Sequence, residues 1–250
     1  MRYLLTIAYD GTHYSGWQVQ SNATCIQPLI QHSLQTALRT TLELTGSSRT
    51  DAGVHALGQI AHFDVPFEID LILLRRSLNA LLPADIRILE VRPVSDTFHA
   101  RYSATSKVYH YRLHLDPVLD PFKRLYCHPI FGSFDRSRLK AAVGQFIGTK
   151  DFTSFANVKK GTVNPIRTLY RLDVVDEPGG MRLEFEGNGF LYKMVRNLAG
   201  ALLAIGSYKL NPDEIESIFS AKDRTQAPPT APAKALTLMQ IHYGLDEDGS

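Results

Sequence analysis

The chain spells one order of signals twice: a strand, a helix, two strands, a helix and a strand. In the first half, Arg2–Tyr9 is rich in Leu, Ile and Tyr, and Gln59–Val65 alternates apolar and polar residues, the period of a half-buried strand. Leu42-Glu43-Leu44 alternates more weakly, and Asp85–Val94 reads as a further strand. Pro28–Thr41 sets Leu29, Ile30, Leu34, Ala37 and Leu38 at helical spacing behind a starting proline. Asp70–Leu82 does the same with Leu71, Leu74, Leu78 and Leu82, and Pro83 stops it. A β-α-β-β-α-β order predicts a split ferredoxin-like unit.

The second half repeats the order without repeating the residues. Lys107–Leu115 is a strand of alternating aromatic and polar residues, and Asp135–Gly148 is a helix capped by Asp135. Ile166–Asp176 and Met181–Glu186 pair around the turn signal Pro178-Gly179-Gly180. Phe190–Ile205 is a helix ended by Gly206, Pro212–Phe219 is a short inserted helix, and Leu236–Tyr243 is the last strand. The class is therefore mixed α+β, with a boundary near Ala104–Lys107 that divides the chain into halves 1–105 and 106–250. Arg224–Lys234, with three prolines, is expected to cross a surface without regular structure, and the tail Asp246–Ser250 to fray.

Between the two central strands of the first half lies Ser47-Ser48-Arg49-Thr50-Asp51-Ala52-Gly53-Val54-His55-Ala56-Leu57-Gly58-Gln59. It is a polar, Gly-punctuated loop on a rigid scaffold, the kind of place where reactive side chains are displayed. It carries one acid. The plain reading of Asp51 is an Asx-turn. Against that, Arg49 stands two residues away and can hold the carboxylate ionised, and the glycines exceed what one turn needs. The residues supply a carboxylate presented beside a cation. They do not supply its reaction.

Arg49-Thr50-Asp51-Ala52-Gly53-Val54-His55 resembles the nucleophile motif of the tRNA pseudouridine synthase A family. The resemblance runs nearly the length of the chain: Tyr9–Gln20, Phe98–Ala104, Tyr109-His110-Tyr111, Asp151–Phe155, Arg167-Thr168-Leu169, Gly189–Asn197 and Ala231-Pro232-Ala233 follow in order. Two positions depart from the family pattern. Ser48 stands where Gly is usual before the Arg, and Ala235 where Gly is usual in the last motif.

The resemblance implies an RNA-uridine isomerase that acts without a cofactor at positions 38, 39 and 40 of the tRNA anticodon stem-loop. It implies a homodimer whose halves share a mainly antiparallel sheet, with helices on one face and a central cleft. Asp51 is then the nucleophile, and a covalent adduct, to the sugar C1′ or the base C6, splits the isomerisation into two steps. Tyr109, which from the residues alone is a core aromatic, is placed against the target base. Arg196, which from the residues alone is a solvated helix cation off the Leu191, Met194, Val195, Leu198 and Leu202 face, pairs with Asp51. Arg49 helps take the place of the flipped uridine. Arg101 and Arg167 join Arg75, Arg76, Lys123, Arg124, Lys159 and Lys160 as candidate phosphate contacts.

Composition narrows the alternatives. The formal net charge is only +2 over 250 residues, so a polyanion must be held by local basic patches. The two cysteines, Cys25 and Cys127, are far apart and read as free thiols of a reducing cytoplasm. His55 and His62 lack a third ligand at metal spacing and read as structural, so no metal site is expected. Trp17, in a Gly-flanked loop, reads as a plug in a hydrophobic seam rather than a base-stacking platform. No run approaches the roughly 18 apolar residues of a membrane span, and no signal peptide is expected. Two other readings compete with the enzyme. One is a non-catalytic RNA-binding protein of paired ferredoxin-like halves, which leaves the Asp51 loop idle. The other is an Asp-nucleophile hydrolase, which needs a second placed carboxylate or a metal set.

Overall fold

The computed structural model describes residues 1–157 and 163–244. They form two units, one of Met1–Ser106 with the chain from Thr237 onward, the other of Lys107–Leu236. Among the described residues there are ten strands and five α-helices, the strands mainly antiparallel.

The first unit runs β1 (Arg2–Tyr9), α1 (Ile26–Leu38), β2 (Thr45–Gly46), β3 (His55–Asp64), α2 (Leu71–Leu81) and β4 (Ile86–Val94). Its strands lie in the order β4-β1-β3-β2, every neighbour antiparallel, so each helix crosses over one intervening strand. That is the split arrangement the sequence order predicts. Leu4, Leu5 and Ile7 of β1 are fully buried, as are Ile30 and Leu34 of α1 and Leu78 of α2. Each such side chain contributes about 1.5–3 kcal/mol of transfer free energy. The Asp70 carboxylate caps α2 by accepting from Leu73 N at 2.9 Å.

β3 begins at His55 rather than Gln59, and its residues 58–63 are buried on both faces instead of alternating. Two further boundaries differ from expectation. α1 begins before Pro28, which sits in the first turn where a missing N–H goes unnoticed, and it ends at Arg39 in the left-handed region. Leu42–Leu44 is not a strand. Side chains of α1 take its backbone groups instead: Gln31 Oε1 accepts from Leu44 N (3.0 Å), Gln27 Nε2 donates to Leu44 O (2.7 Å) and Gln35 Nε2 donates to Leu42 O (3.0 Å). Only Thr45–Gly46 is left to pair with β3.

The second unit contains β5 (Ala104–His114), β6 (His128–Pro129), α3 (Arg136–Ala142), β7 (Gly148–Asp151), β8 (Ile166–Glu177), β9 (Gly180–Gly187), α4 (Met194–Gly206) and α5 (Ile215–Ala221). The order is β5-β9-β8-β7, antiparallel throughout, with β6 parallel beside β5. β8 and β9 turn on Pro178-Gly179, Gly179 taking the positive φ of 75° that follows a proline in a type II turn. Phe146, Phe152 and Phe155 are fully buried and meet Phe219 of α5 at ring separations of 4.8 to 6.2 Å. β10 (Leu236–Tyr243) follows and lies parallel to β3 at His55 and Ala56 in the first unit.

Here too the ends moved. The helix expected over 135–148 stops at Ala142, tightens into a 3₁₀ turn over Val143–Phe146 and gives way to β7 at Gly148. α4 starts at Met194 rather than Phe190, because Lys193 adopts a left-handed backbone, φ 60°. Gly206 is not its stop signal. It is the last helical residue, a Cβ there would lie 2.5 Å from the Phe134 ring, and the left-handed residue beyond the end is Tyr208. The segment 224–234 is largely irregular, as expected, with short 3₁₀ turns at Arg224–Gln226 and Ala233–Ala235. Both cysteines are free and buried. No helix among the described residues is long and apolar enough to cross a membrane.

Candidate active site

In the first unit the Asp51 loop is fixed from three sides. Gln59 of β3, with no exposed surface, reaches back to Ser48: its Oε1 accepts from Ser48 N (3.2 Å) and its Nε2 donates to Ser48 O (2.7 Å). Ser47 N donates to Ile60 O at 2.8 Å. Further along, Thr50 is buried, its hydroxyl 2.7 Å from the Tyr9 hydroxyl, and Trp17 N donates to Thr50 O (3.1 Å). Val54 N closes a turn onto Asp51 O (3.1 Å), and Gly53 N donates to Tyr14 O (3.2 Å).

The third side is the Tyr9–Gln20 stretch, packed so closely that side chains are excluded. A Cβ on Gly11 would lie 2.0 Å from Val54 O, and one on Gly16, whose φ is +97°, would lie 2.5 Å from Thr50 O and 3.1 Å from Asp51 C. His55 Nδ1 sits 3.1 Å from Gly11 N and 3.0 Å from Asp10 Oδ1, tying the start of β3 to the same stretch. Trp17 is buried, its ring against Gly46 and tilted on Tyr9, so it is the plug and not a stacking platform. The outcome is a half-buried Asp51 on an immobilised loop, flanked by exposed Arg49 and Ala52. Ser48 enters the clamp through its backbone N–H and C=O.

The second unit holds Tyr109, Arg196 and Arg167. Tyr109, on β5 opposite Phe185, is buried with its ring edge-on to Phe190 at 5.3 Å. Two residues on, Tyr111 is fully buried and donates its hydroxyl to Pro232 O (3.1 Å); burial raises its pKa well above the usual tyrosine range, against a small opposing effect of Arg196. Arg196, in the first turn of α4, clasps the Ala231 backbone: its Nε donates to Ala231 O (2.8 Å) and its own C=O accepts from Ala231 N (3.1 Å). A cation in the first helical turn opposes the helix dipole by about 0.3–1 kcal/mol, and no acidic residue in that turn offsets it. Such a locally adverse choice is typical of functional positions. Arg167 folds over the Gly189 turn that leads to Phe190, its Nη1 donating to Asn164 O (2.9 Å) and Ile166 O (2.6 Å).

The remaining basic candidates belong to both units. Arg101, in the first unit, is exposed beside Tyr102, its guanidinium 5.8 Å from that ring. Arg75, Arg76, Lys123 and Arg124 are exposed. Lys159 and Lys160 lie outside the described residues. His62 is structural: Nδ1 accepts from Ala100 N (3.2 Å), and burial, more than the nearby Arg2 and His99, lowers its pKa to about 4. Among the described residues no three His, Cys, Asp or Glu side chains gather as a metal ion would need. Sequence reasoning missed the Gln59 clamp and the Ala231 clasp. The signal for the first was a large polar side chain in the middle of an apolar strand. The second joins residues 35 apart and has none.

The sequence model of a family described as tRNA pseudouridine synthase matches residues 5–103 and 142–244. The tRNA pseudouridine synthase A 1 of Protochlamydia amoebophila is 56% identical over 245 residues, covering 96% of both chains. The tRNA pseudouridine synthase A of Chlamydia muridarum is 44% identical, covering 96% of this chain and 91% of that one, and its counterpart in Bacillus pumilus is 39% identical, covering 97% and 99%.

Proposed function

This chain belongs to the tRNA pseudouridine synthase A family, a family of isomerases, and on that premise we propose that it converts uridine to pseudouridine at positions 38, 39 and 40 of the tRNA anticodon stem-loop, with Asp51 as nucleophile. The N1–C1′ bond breaks and a C5–C1′ bond forms. C5 gives up its proton and N1 gains one. Atoms and electrons balance within the nucleotide, so the reaction calls for no cofactor. Asp51 carries one half of the exchange as a covalent adduct. Tyr109 lies against the base, and Arg196 supplies the cation that keeps the nucleophile ionised.

The observation that carries this reading is the fixing of the Asp51 loop by Gln59, by Tyr9 and by the Gly11–Trp17 backbone. A turn that merely joins two strands needs no such restraint; a nucleophile that must meet one carbon does. A uridine within a stem must leave the stack to be reached, and Arg49, exposed beside Asp51, fills the vacated place. Targets at three neighbouring positions require readout of tRNA shape, with Arg101 and Arg167 as phosphate contacts. A homodimer acting in the cytoplasm lets one copy steady the tRNA body while the other's Asp51 loop receives the base.

The test is to incubate the protein with unmodified tRNA and map pseudouridine by selective derivatisation. Conversion at 38, 39 and 40 without change in RNA mass is expected. Conversion confined to other positions would reject this assignment.

A further inference from the structure

Arg196 commits its Nε to Ala231 O, so the direction of the rest of its fork depends on where Ala231 stands. Ala231 belongs to 227–232, a stretch with three prolines and no regular structure. Such a stretch has few N–H groups with which to hold itself. It lies flat on α4: a Cβ on Gly200 would come 2.2 Å from Pro229 O.

What gathers the stretch is Arg224. Its Nη1 donates to Ala227 O (2.9 Å), and its Nη2 to Pro228 O (2.9 Å), Thr230 Oγ1 (3.1 Å) and Asn197 Oδ1 (3.1 Å). Asn197 is fully buried and adjoins Arg196 on α4. Its Oδ1 also accepts from Thr230 Oγ1 (2.6 Å), and its Nδ2 donates to Phe155 O (2.9 Å) and Asn157 Oδ1 (3.0 Å). The stretch is thus tied to one turn of α4 three times, through the backbone and the side chain of residue 196 and the side chain of residue 197. Arg224 occupies an expensive position. Burial lowers its pKa, all its acceptors are neutral, and its Nε is buried with no partner. A half-buried guanidinium held on those terms is explained where its fork geometry serves something.

We propose that Arg224, acting through Asn197, Thr230 and Ala231, is a positioning residue that aims the Arg196 guanidinium. The inference rests on the role given to Arg196 above. Arg224→Lys keeps the charge and loses the fork; Thr230→Val, a milder change, removes one link on each side of it. Each is made alone and together with Arg196→Ala. Single-turnover rate at saturating tRNA, tRNA affinity and thermal unfolding are measured for all.

Either single variant is expected to slow the chemical step about tenfold or more, with tRNA affinity within about twofold, since small misplacements of a reacting group cost about that much. In the Arg196→Ala background the same substitutions should change the rate no further. Full additivity in that background, or wild-type rates for both single variants, would overturn the inference while leaving Arg196 in place. A wild-type rate for Arg196→Ala alone would instead refute the role of Arg196, and this inference with it.

Discussion

Gly16→Ala tests whether the Tyr9–Gln20 stretch exists to hold the nucleophile loop. Gly16 has φ +97°, and an added Cβ would lie 2.5 Å from Thr50 O and 3.1 Å from Asp51 C. The positive φ costs an alanine about 1–2 kcal/mol. The approach to Thr50 O is a backbone contact that no side-chain rotation relieves, an overpacking cost of about 1–3 kcal/mol. The sum, about 2–5 kcal/mol, is a large part of the roughly 5–15 kcal/mol that keeps a domain folded. Gly132→Ala is the control: its φ is +92° and nothing lies within 4 Å of an added Cβ, so it carries the first cost alone. In urea unfolding, Gly16→Ala should lower the midpoint further than Gly132→Ala at unchanged slope. Relief comes by pushing Thr50 and Asp51 outward, so protein that remains folded should isomerise more slowly while still binding tRNA. Equal midpoints for the two variants, with full activity in both, would refute the idea that this contact sets the position of Asp51.

Gln59→Leu removes both of its hydrogen bonds to the buried Ser48 backbone and should destabilise by about 2–4 kcal/mol, read from the urea midpoint; a loss under about 1 kcal/mol would show the clamp to be incidental. His62, with its pKa lowered to about 4 against about 6.5 unfolded, binds its proton mainly in the unfolded chain, so stability should fall as pH drops from 6.5 toward 4, by about 2 kcal/mol between pH 7 and 5. His62→Asn, which keeps an acceptor for Ala100 N, should remove the His62 share of that slope and leave the share of His110, whose pKa burial also lowers to about 4; an unchanged slope would show that His62 does not contribute. Arg101→Ala should reduce the log–log salt dependence of tRNA affinity by about one unit, and no change would remove Arg101 from the phosphate contacts.

Much of the fold can be read along the chain because its elements are locally consistent. β1, α2 and the β8–β9 turn carry period, cap and turn residues that agree with their tertiary surroundings. The misreadings arose where a distant partner decided. Leu42–Leu44 alternates like a strand, yet its backbone groups are taken by three glutamines of α1. Gly206 looks like a helix stop, yet it is a glycine because Phe134 fills its Cβ space. Lys193 is a poor residue for a left-handed backbone, and nothing in its neighbours announces that α4 begins only after it. In the candidate site, Asp51 and Arg49 stand out because loop and acid are contiguous. Tyr109 and Arg196 read as a core aromatic and a surface cation, and only the likeness to a family singles them out. The network of Arg224, Asn197 and Thr230 joins three separate stretches and leaves no pattern in any of them.

The central claim is that the Asp51 carboxylate is the nucleophile, and Asp51→Asn tests it most directly. The amide keeps the shape of the side chain and removes its nucleophilicity. Pseudouridine formed per enzyme is counted over a long incubation with tRNA, alongside tRNA affinity. No product, with affinity within a few-fold of the parent, is the expected result; turnover near that of the parent protein would contradict the account.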